Sequence, residues 1–312
     1  DKNLGFLVFF CINFATLMES RFPLAFWNGL CIMEASKQKG GIRMYFEALC
    51  AALRGLPEIE ALVLGGSRAG EGYDRKSDYD LYVYCTEIPP AEARREILGR
   101  FCGHMELGND FWELEDDCVL LNGIPIDILY RNLDSFARDI ASVAELHYAR
   151  NGYTTCMWHN LLHSRILYDR DGRYAALRQR FDVPYPEALR QNIIRRNLRL
   201  LTGNLPSYNA QLRKAVSRED RPSVNHRMAA FLESYFDILF ALNRMTHPGE
   251  KRMASTLKAR AKILPKDFGE NLDEAFACMF ANPERFLEVL DAMVGNLQEL
   301  VEKETEADGK AI

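Results

Sequence analysis

The chain has 312 residues, 48% of them hydrophobic, enough to bury one large or two ordinary cores, which excludes disordered and fibrous classes. Lysine and arginine number 39 against 44 aspartate and glutamate, a formal charge of −5, so no global field gathers a polyanion and a template-tracking polymerase is disfavoured. The eight cysteines are scattered without a Cys-x-x-Cys pair, and a chain of this size needs no disulfide staples, so they are expected to be reduced thiols of a cytoplasmic protein.

Residues 1–33 hold six of the 18 phenylalanines and only four charges, Asp1, Lys2, Glu19 and Arg21. The uncharged runs Leu4–Met18 and Phe22–Met33 are both shorter than the ~20 residues a membrane-spanning helix needs, so no membrane contact is expected. Lys2 followed by an apolar run has the outline of a secretory signal, but no small-x-small cleavage site precedes Glu19–Arg21. Residues 1–41 are therefore read as an apolar N-terminal extension that ends in the polar linker Glu34–Gly41.

Helical spacing of Met44, Phe46, Leu49, Leu53 and Leu56 predicts a helix over Ile42–Leu56, ended by Gly55 and Pro57. Ile59–Leu64 reads as a buried strand, the segment Gly65–Gly72 as a glycine-rich turn, and Ser77–Tyr84 as an alternating strand. A helix is expected over Pro89–Cys102. Phe111–Tyr130 reads as a hairpin with Asn122-Gly123 as its two-residue turn, which pairs Leu121 with Ile124 and Cys118 with Asp127. After about residue 135 strand signals vanish and the periodicity is helical over 135–150, 154–168, 186–203, 207–218, 223–246, 251–263 and 272–306. The fold class expected is α+β: a domain with a mixed sheet over 42–135, then an α-helical bundle over 136–312.

Two residues apart on one strand, Asp78 and Asp80 project from the same face. Asp127 stands in the otherwise apolar strand Ile124–Tyr130, where an ionised carboxylate is expensive without a partner. Clustered acids are stable together mainly around a divalent cation, and hard oxygen ligands on a rigid sheet suit Mg²⁺, which completes its shell with water and phosphate oxygens. The turn at Gly66-Ser67 suits the accompanying anion, since glycine lets backbone N–H groups approach a phosphate, and Arg68 adds a cation beside it. These residues predict a Mg–nucleotide site.

Taken jointly, they resemble the nucleotidyltransferases of the DNA polymerase β superfamily. That pattern is a hydrophobic residue before Gly-[Gly/Ser], a spacer of nine to thirteen residues, Asp-h-[Asp/Glu]-h, and a later strand carboxylate. Here Leu64 stands near Gly66-Ser67, ten residues (68–77) intervene, Asp78-Tyr79-Asp80-Leu81 follows, and Asp127 supplies the third acid. The helical half looks like the C-terminal domain of antibiotic-modifying and related small nucleotidyltransferases, and Phe240–Lys251 resembles a stretch of an uncharacterised related group. The resemblance implies Asp78, Asp80 and Asp127 as catalytic residues and ligands of two Mg²⁺, with ATP or another nucleoside triphosphate as co-substrate. It also implies transfer of a nucleoside monophosphate, AMP foremost, to a hydroxyl of a small-molecule acceptor bound by residues 136–312. No long nucleic-acid template is expected. Adenylylation of a protein, as by antitoxins of minimal nucleotidyltransferase type, and a nucleotide-binding module without turnover are the competing readings.

Lys251 lies just past a helix break and is assigned to the triphosphate, against its alternative as a solvated lysine. Asn243 and Arg244 either reach the nucleotide or acceptor or act as structural caps. His159 and His163, four apart, share a helix face, but no third ligand accompanies them, which favours a packed surface over zinc. Arg190, Arg195, Arg196 and Arg199 wrap around their helix, so a solvated or interface face is expected. Asp116 is placed on the face of Cys118 and Asp127 by the two-residue turn, either supporting the site or as an exposed edge acid.

Overall fold

The computed structural model describes residues 41–69, 77–203, 205–307 and 309. The expected extension over residues 1–41 lies outside them except for Gly41, as do residues 70–76 of the segment between Gly66 and Asp78. Two compact units divide between Arg131 and Asn132.

In the first unit, α1 (Gly41–Leu53) buries Phe46, Leu49 and Leu53, one stripe at helical spacing. β1 (Ile59–Leu64) is buried along its whole length, as its apolar run requires. β2 (Tyr79–Cys85), α2 (Ala91–Leu98), β3 (Cys102–Asn109), β4 (Glu115–Leu120) and β5 (Pro125–Asn132) follow, and the strands lie in the order β3-β4-β5-β2-β1 of a mixed sheet. The helix expected to reach Cys102 stops at Leu98, and Cys102–Asn109 is an additional strand. Only Cys102 of it is buried, so no apolar run marks it in the sequence.

The β4–β5 hairpin corrects the expected register. Cys118 pairs with Ile126, and Asp117, not Cys118, faces Asp127. The loop holds three residues: Leu120 N–H donates to Ile124 O, Gly123 N–H donates to Leu120 O, and Gly123 sits at φ +81°. That is a turn closed by a left-handed glycine, the usual three-residue hairpin, and a one-residue slip moves every side chain to a new partner. Asp116 therefore leaves the face of Asp127. It is fully buried on the opposite side, ion-paired to Arg94 and accepting from Gly108 N–H at 2.9 Å. The Arg94 guanidinium also lies 4.9 Å over the Tyr130 ring, and its Nε donates to Pro89 O. That side of the sheet, with Leu81, Val83, Ile126, Ile128 and Leu120, is the core.

The second unit comprises α3 (Leu133–Ala144), α4 (Cys156–His163), β6 (Arg165–Asp169), α5 (Arg173–Phe181), α6 (Glu187–Leu198), α7 (Tyr208–Ser217), α8 (Arg221–Leu242), α9 (Met253–Arg260), α10 (Phe268–Cys278) and α11 (Pro283–Ala307). β6 overturns the expectation that no strand follows residue 135. The periodic stretch expected over 272–306 is two helices, because the Asn282 side chain caps the second by accepting from Arg285 N–H and Pro283 stands at its start. α8 is the axis of the unit, buried on nearly every side from Ala230 to Leu242 and packed against α6 and α7. Asp237 within it is fully enclosed and accepts from Thr154 N–H, the Thr154 hydroxyl and the Asn197 amide.

Among the described residues no helix is long and apolar enough to cross a membrane, and the described cysteines are free thiols.

Two predictions follow from burial. Replacing Arg94 by Met leaves Asp116 charged and enclosed, a loss of about 3–5 kcal/mol in denaturant unfolding, most of which the double variant Arg94→Met/Asp116→Leu recovers. Burial alone pushes the Glu233 carboxyl up to about 8. A raised folded-state value means that charging opposes folding, so this group weakens the fold as pH climbs from about 4.5 to 8. Glu233→Gln is expected to raise the unfolding free energy above pH 8, with the gain shrinking to nothing below about pH 4.5, measured by urea titration across pH.

Candidate active site

The face of the sheet opposite the core is polar because alternation along three strands happens to select acids. β2 contributes Asp80, Tyr82 and Tyr84, β5 contributes Asp127 and Arg131, β4 contributes Glu115 and Asp117, and the pleat buries the residues between them. Asp78, just ahead of β2, shares the parity of Asp80 and is half-buried like it.

The turn after β1 lies directly against this face. Gly65 N–H donates to Asp80 O at 2.9 Å, extending the β1–β2 ladder by one rung. A Cβ on Gly65 would sit 2.1 Å from the Tyr82 ring, and a Cβ on Gly66 would sit 1.7 Å from Oδ2 of Asp80. The two consecutive glycines thus answer two same-face side chains of β2 that press on the turn. Gly66 also takes φ +57°, a left-handed conformation that disfavours any other residue. Ser67, half-buried, opens a single 3-10 turn, Ser67–Ala69.

Arg68 is buried within that turn. Its Nε donates to Ser77 O at 2.7 Å and Asp78 O at 3.0 Å, and its guanidinium lies 4.1 Å over the Tyr79 ring, which stacks on Phe46. It thereby ties the approach to Asp78 onto the turn, a bracing role that the sequence did not mark.

Electrostatics bind the acids into one group. Burial, then the charges of Asp80, Asp117, Asp78 and Glu115, push the Asp127 carboxyl up to about 7. Glu115 is likewise pushed up to about 7, by burial and then by Asp117 and Glu113. Asp117 is raised by burial, partly opposed by a hydrogen bond from Asn109. Glu115 and Asp117 are additions to the expected set, and only the true hairpin register reveals them. At the far end of the face Arg131 closes the group, bidentate to Glu113 at 2.6 and 2.9 Å and 4.2 Å over the Tyr82 ring.

Among the described residues no group of three or more His, Cys, Asp or Glu side chains, Asp78, Asp80 and Asp127 included, is placed to hold a metal ion. Asp78, Asp80 and Asp127 share a face and a field instead. The donor chemistry fits Mg²⁺, which binds through one or two carboxylates and takes its other ligands from water and phosphate.

The remaining candidates lie in the second unit. Lys251 is exposed in the turn between Gly249 and Arg252. Asn243 is a brace: its amide donates to Leu239 O and Ile263 O while its oxygen accepts from Lys262 and Ile263 N–H. Arg244 pairs with Glu187 at 2.9 Å. His159 and His163 stack at 3.9 Å with Nδ1 of His159 against the Thr246 hydroxyl and Nδ1 of His163, which is exposed, against His159 O. Arg190 is buried against Glu187 and Arg196 bonds Asn151.

One measurement isolates the glycine turn. Gly66→Ala forces a Cβ into the Asp80 carboxylate at a left-handed position and is expected to cost about 1–2 kcal/mol in chemical denaturation. Gly103→Ala, whose Cβ meets only Leu121 at 3.8 Å, serves as control and is expected to change stability little.

Residues 154–253 match the model of a family described as a domain of unknown function, DUF4037. No curated protein matches the chain in sequence. Solved structures that resemble it include a nucleotidyltransferase-like protein from Exiguobacterium sibiricum 255-15, 10% identical, covering 85% of this chain and 76% of that one with a TM-score of 0.39. Another is a Thermotoga maritima CCA-adding enzyme complexed with tRNA, 12% identical, covering 93% and 84% with a TM-score of 0.27. The chain thus carries a Gly-Ser turn, an Asp-x-Asp strand and a later strand carboxylate ahead of residues 154–253, which are similar to DUF4037.

Proposed function

We propose that the protein transfers a nucleoside monophosphate, AMP from ATP, to a hydroxyl of a small-molecule acceptor. The observation that carries this reading is the seating of the Gly65-Gly66 turn against Asp80, on the same face from which Asp78 and Asp80 act on Asp127. A glycine turn held beside gathered carboxylates suits a triphosphate, whose charge needs both N–H donors and a cation brought in with it.

In this scheme the acceptor oxygen attacks the α-phosphorus, the bond to the bridging oxygen of the β-phosphate breaks, and pyrophosphate leaves. The acceptor's hydroxyl proton passes to the Asp127 carboxylate. Asp78, Asp80 and Asp127 would hold Mg²⁺, which when bound neutralises the charge developing on the phosphoryl oxygens. The Gly66-Ser67 turn orients the phosphates, Arg68 keeps that turn and Asp78 in register, and Lys251 is assigned as a further cation for the triphosphate. No covalent protein intermediate is required, so positioning and electrostatics supply the acceleration.

The test is transfer of label from α-labelled ATP to candidate hydroxyl acceptors with Mg²⁺ present. Asp80→Asn and Asp127→Asn are expected to lower transfer by at least about 10²-fold, the scale of losing one general base or charge stabiliser, while leaving the fold intact. Lys251→Ala is expected to raise KM for ATP more than it lowers kcat. ATP binding indifferent to both Mg²⁺ and the two aspartate substitutions, with no transfer detected, overturns the proposal.

A further inference from the structure

The Gly65-Gly66 turn is pressed by a side chain as well as tied by its backbone. Tyr82 and Asp80 leave one face of β2, and three atoms of the Tyr82 ring lie 2.1, 3.0 and 3.1 Å from where a Cβ on Gly65 would stand. The backbone adds Gly65 N–H donating to Asp80 O at 2.9 Å and Ala69 N–H donating to Gly66 O at 3.3 Å. Two consecutive glycines have a wide choice of conformations, so their turn keeps one form only where its neighbours exclude the others. The Tyr82 ring fills the space into which Gly65 would otherwise move.

A half-buried ring needs a constraint of its own, because a change of χ1 rotamer would swing it off the turn. Arg131 supplies that constraint. Its guanidinium lies 4.2 Å over the Tyr82 ring, while Glu113 fixes the guanidinium itself, accepting from Nε at 2.6 Å and from Nη2 at 2.9 Å. The Arg131 and Glu113 side chains are only 10% and 24% exposed, so solvent and salt weaken the pair less than they would at an open surface. Glu113 is anchored in turn, since Leu114 O next to it accepts from Tyr130 N–H at 2.9 Å. The contacts therefore run from Glu113 to Arg131, to Tyr82 and to Gly65, all within the first unit. With an edge of its guanidinium on Glu113 and its flat face on Tyr82, Arg131 is arranged to hold a neighbour in place.

We propose that Arg131 is a positioning residue for the phosphate turn: acting through the Tyr82 ring, it holds Gly65-Gly66 in the form that receives a triphosphate. This role rests on the nucleotidyl-transfer reading for its ligand and on the contacts alone for the positioning. Backbone N–H groups bind a phosphate best when they already point at it, since ordering them at the moment of binding subtracts from the affinity. Loss of Arg131 therefore acts on nucleotide binding more than on the chemical step. The strength of a cation over an aromatic face sets the scale, about two- to thirtyfold in an equilibrium constant.

The test compares the full chain with Arg131→Met, Arg131→Lys, Tyr82→Leu and the double variant Arg131→Met/Tyr82→Leu. Native-state amide exchange at Gly65 and Ala69, whose N–H groups are hydrogen-bonded, reads the turn without nucleotide, and calorimetry with ATP and Mg²⁺ reads affinity. Arg131→Met is expected to quicken exchange at both amides about two- to thirtyfold, with Leu120 N–H at the distant hairpin unchanged, and to weaken ATP binding by a similar factor. In the transfer assay it raises KM for ATP with kcat nearly unchanged. Arg131→Lys, which keeps a cation beside the ring, falls between Arg131→Met and the parent. The double variant is no worse than the more severe single one, because both break the same chain of contacts. Arg100→Met, at an exposed arginine of the same unit, matches the parent. The positioning role is overturned if Arg131→Met exchanges at Gly65 and Ala69 like the parent, if Leu120 quickens equally so that only overall stability has fallen, if the two single effects simply add, or if ATP binds Arg131→Met as tightly as a parent that binds it. A parent that does not bind ATP overturns the nucleotide reading instead, and the exchange result still decides whether Arg131 holds the turn.

Discussion

The first unit is organised by a repulsion. Alternation along β2, β4 and β5 places Asp80, Glu115, Asp117 and Asp127 on one face of a pleated sheet, with Asp78 beside them, and the same pleat makes the other face an apolar core. Burial first, and then like charges at this spacing, oppose ionisation, which is why the carboxyls of Asp127 and Glu115 are both pushed up to about 7. The sheet tolerates them because Leu81, Val83, Ile126 and Ile128 anchor the strands from behind, and because Arg131 and Arg94 neutralise acids at the margin and in the core. A positive charge brought to such a face would lower its energy.

How much of this the sequence discloses depends on whether the relevant signal is local. The Asp-x-Asp pair and the glycine doublet are legible because each rests on two or three neighbouring residues: strand alternation for the acids, and absence of a Cβ for the turn. The doublet even says more than its phosphate-binding reading, since Gly65 and Gly66 are also required by Tyr82 and Asp80 pressing on the turn. The partners of Asp127 are not legible in the same way. Asn122-Gly123 favours a two-residue hairpin by local preference, yet Leu121 joins the loop and Gly123 closes it at φ +81°. One residue of slip exchanges Asp116 for Asp117 beside Asp127 and sends Asp116 into the core to Arg94. β3 escapes detection because it is not an apolar run and has one buried residue, and β6 because its apolar stretch, Ile166-Leu167-Tyr168, is only three residues long and continues the apolar positions of the helix before it.

Arg68 shows why a residue's type does not fix its task. Next to a glycine turn a cation is read as a phosphate ligand, but its Nε is engaged by Ser77 O and Asp78 O and its plane by Tyr79. A guanidinium has donors on several edges and a flat face, so one arginine can brace two backbone segments and stack on a ring at once. The consequence for the site is geometric: Asp78 lies ahead of β2, beyond the regular ladder, and the bonds from Arg68 to its carbonyl and its neighbour's fix the backbone from which its carboxylate projects.

The second unit is framed by burial of a different kind: α8 runs enclosed through it, and its buried Asp237 accepts from Thr154 and Asn197, so a single carboxylate is satisfied by neutral donors where the sheet face gathers several. Rigidity matters on the carboxylate face because a flexible surface would relax by moving the charges apart, whereas a pleated sheet backed by a packed core cannot. The repulsion among Asp78, Asp80 and Asp127 is then relieved by taking up a proton or by a group of opposite charge, which is why the same arrangement that raises the Asp127 carboxyl to about 7 would also be stabilised by a cation.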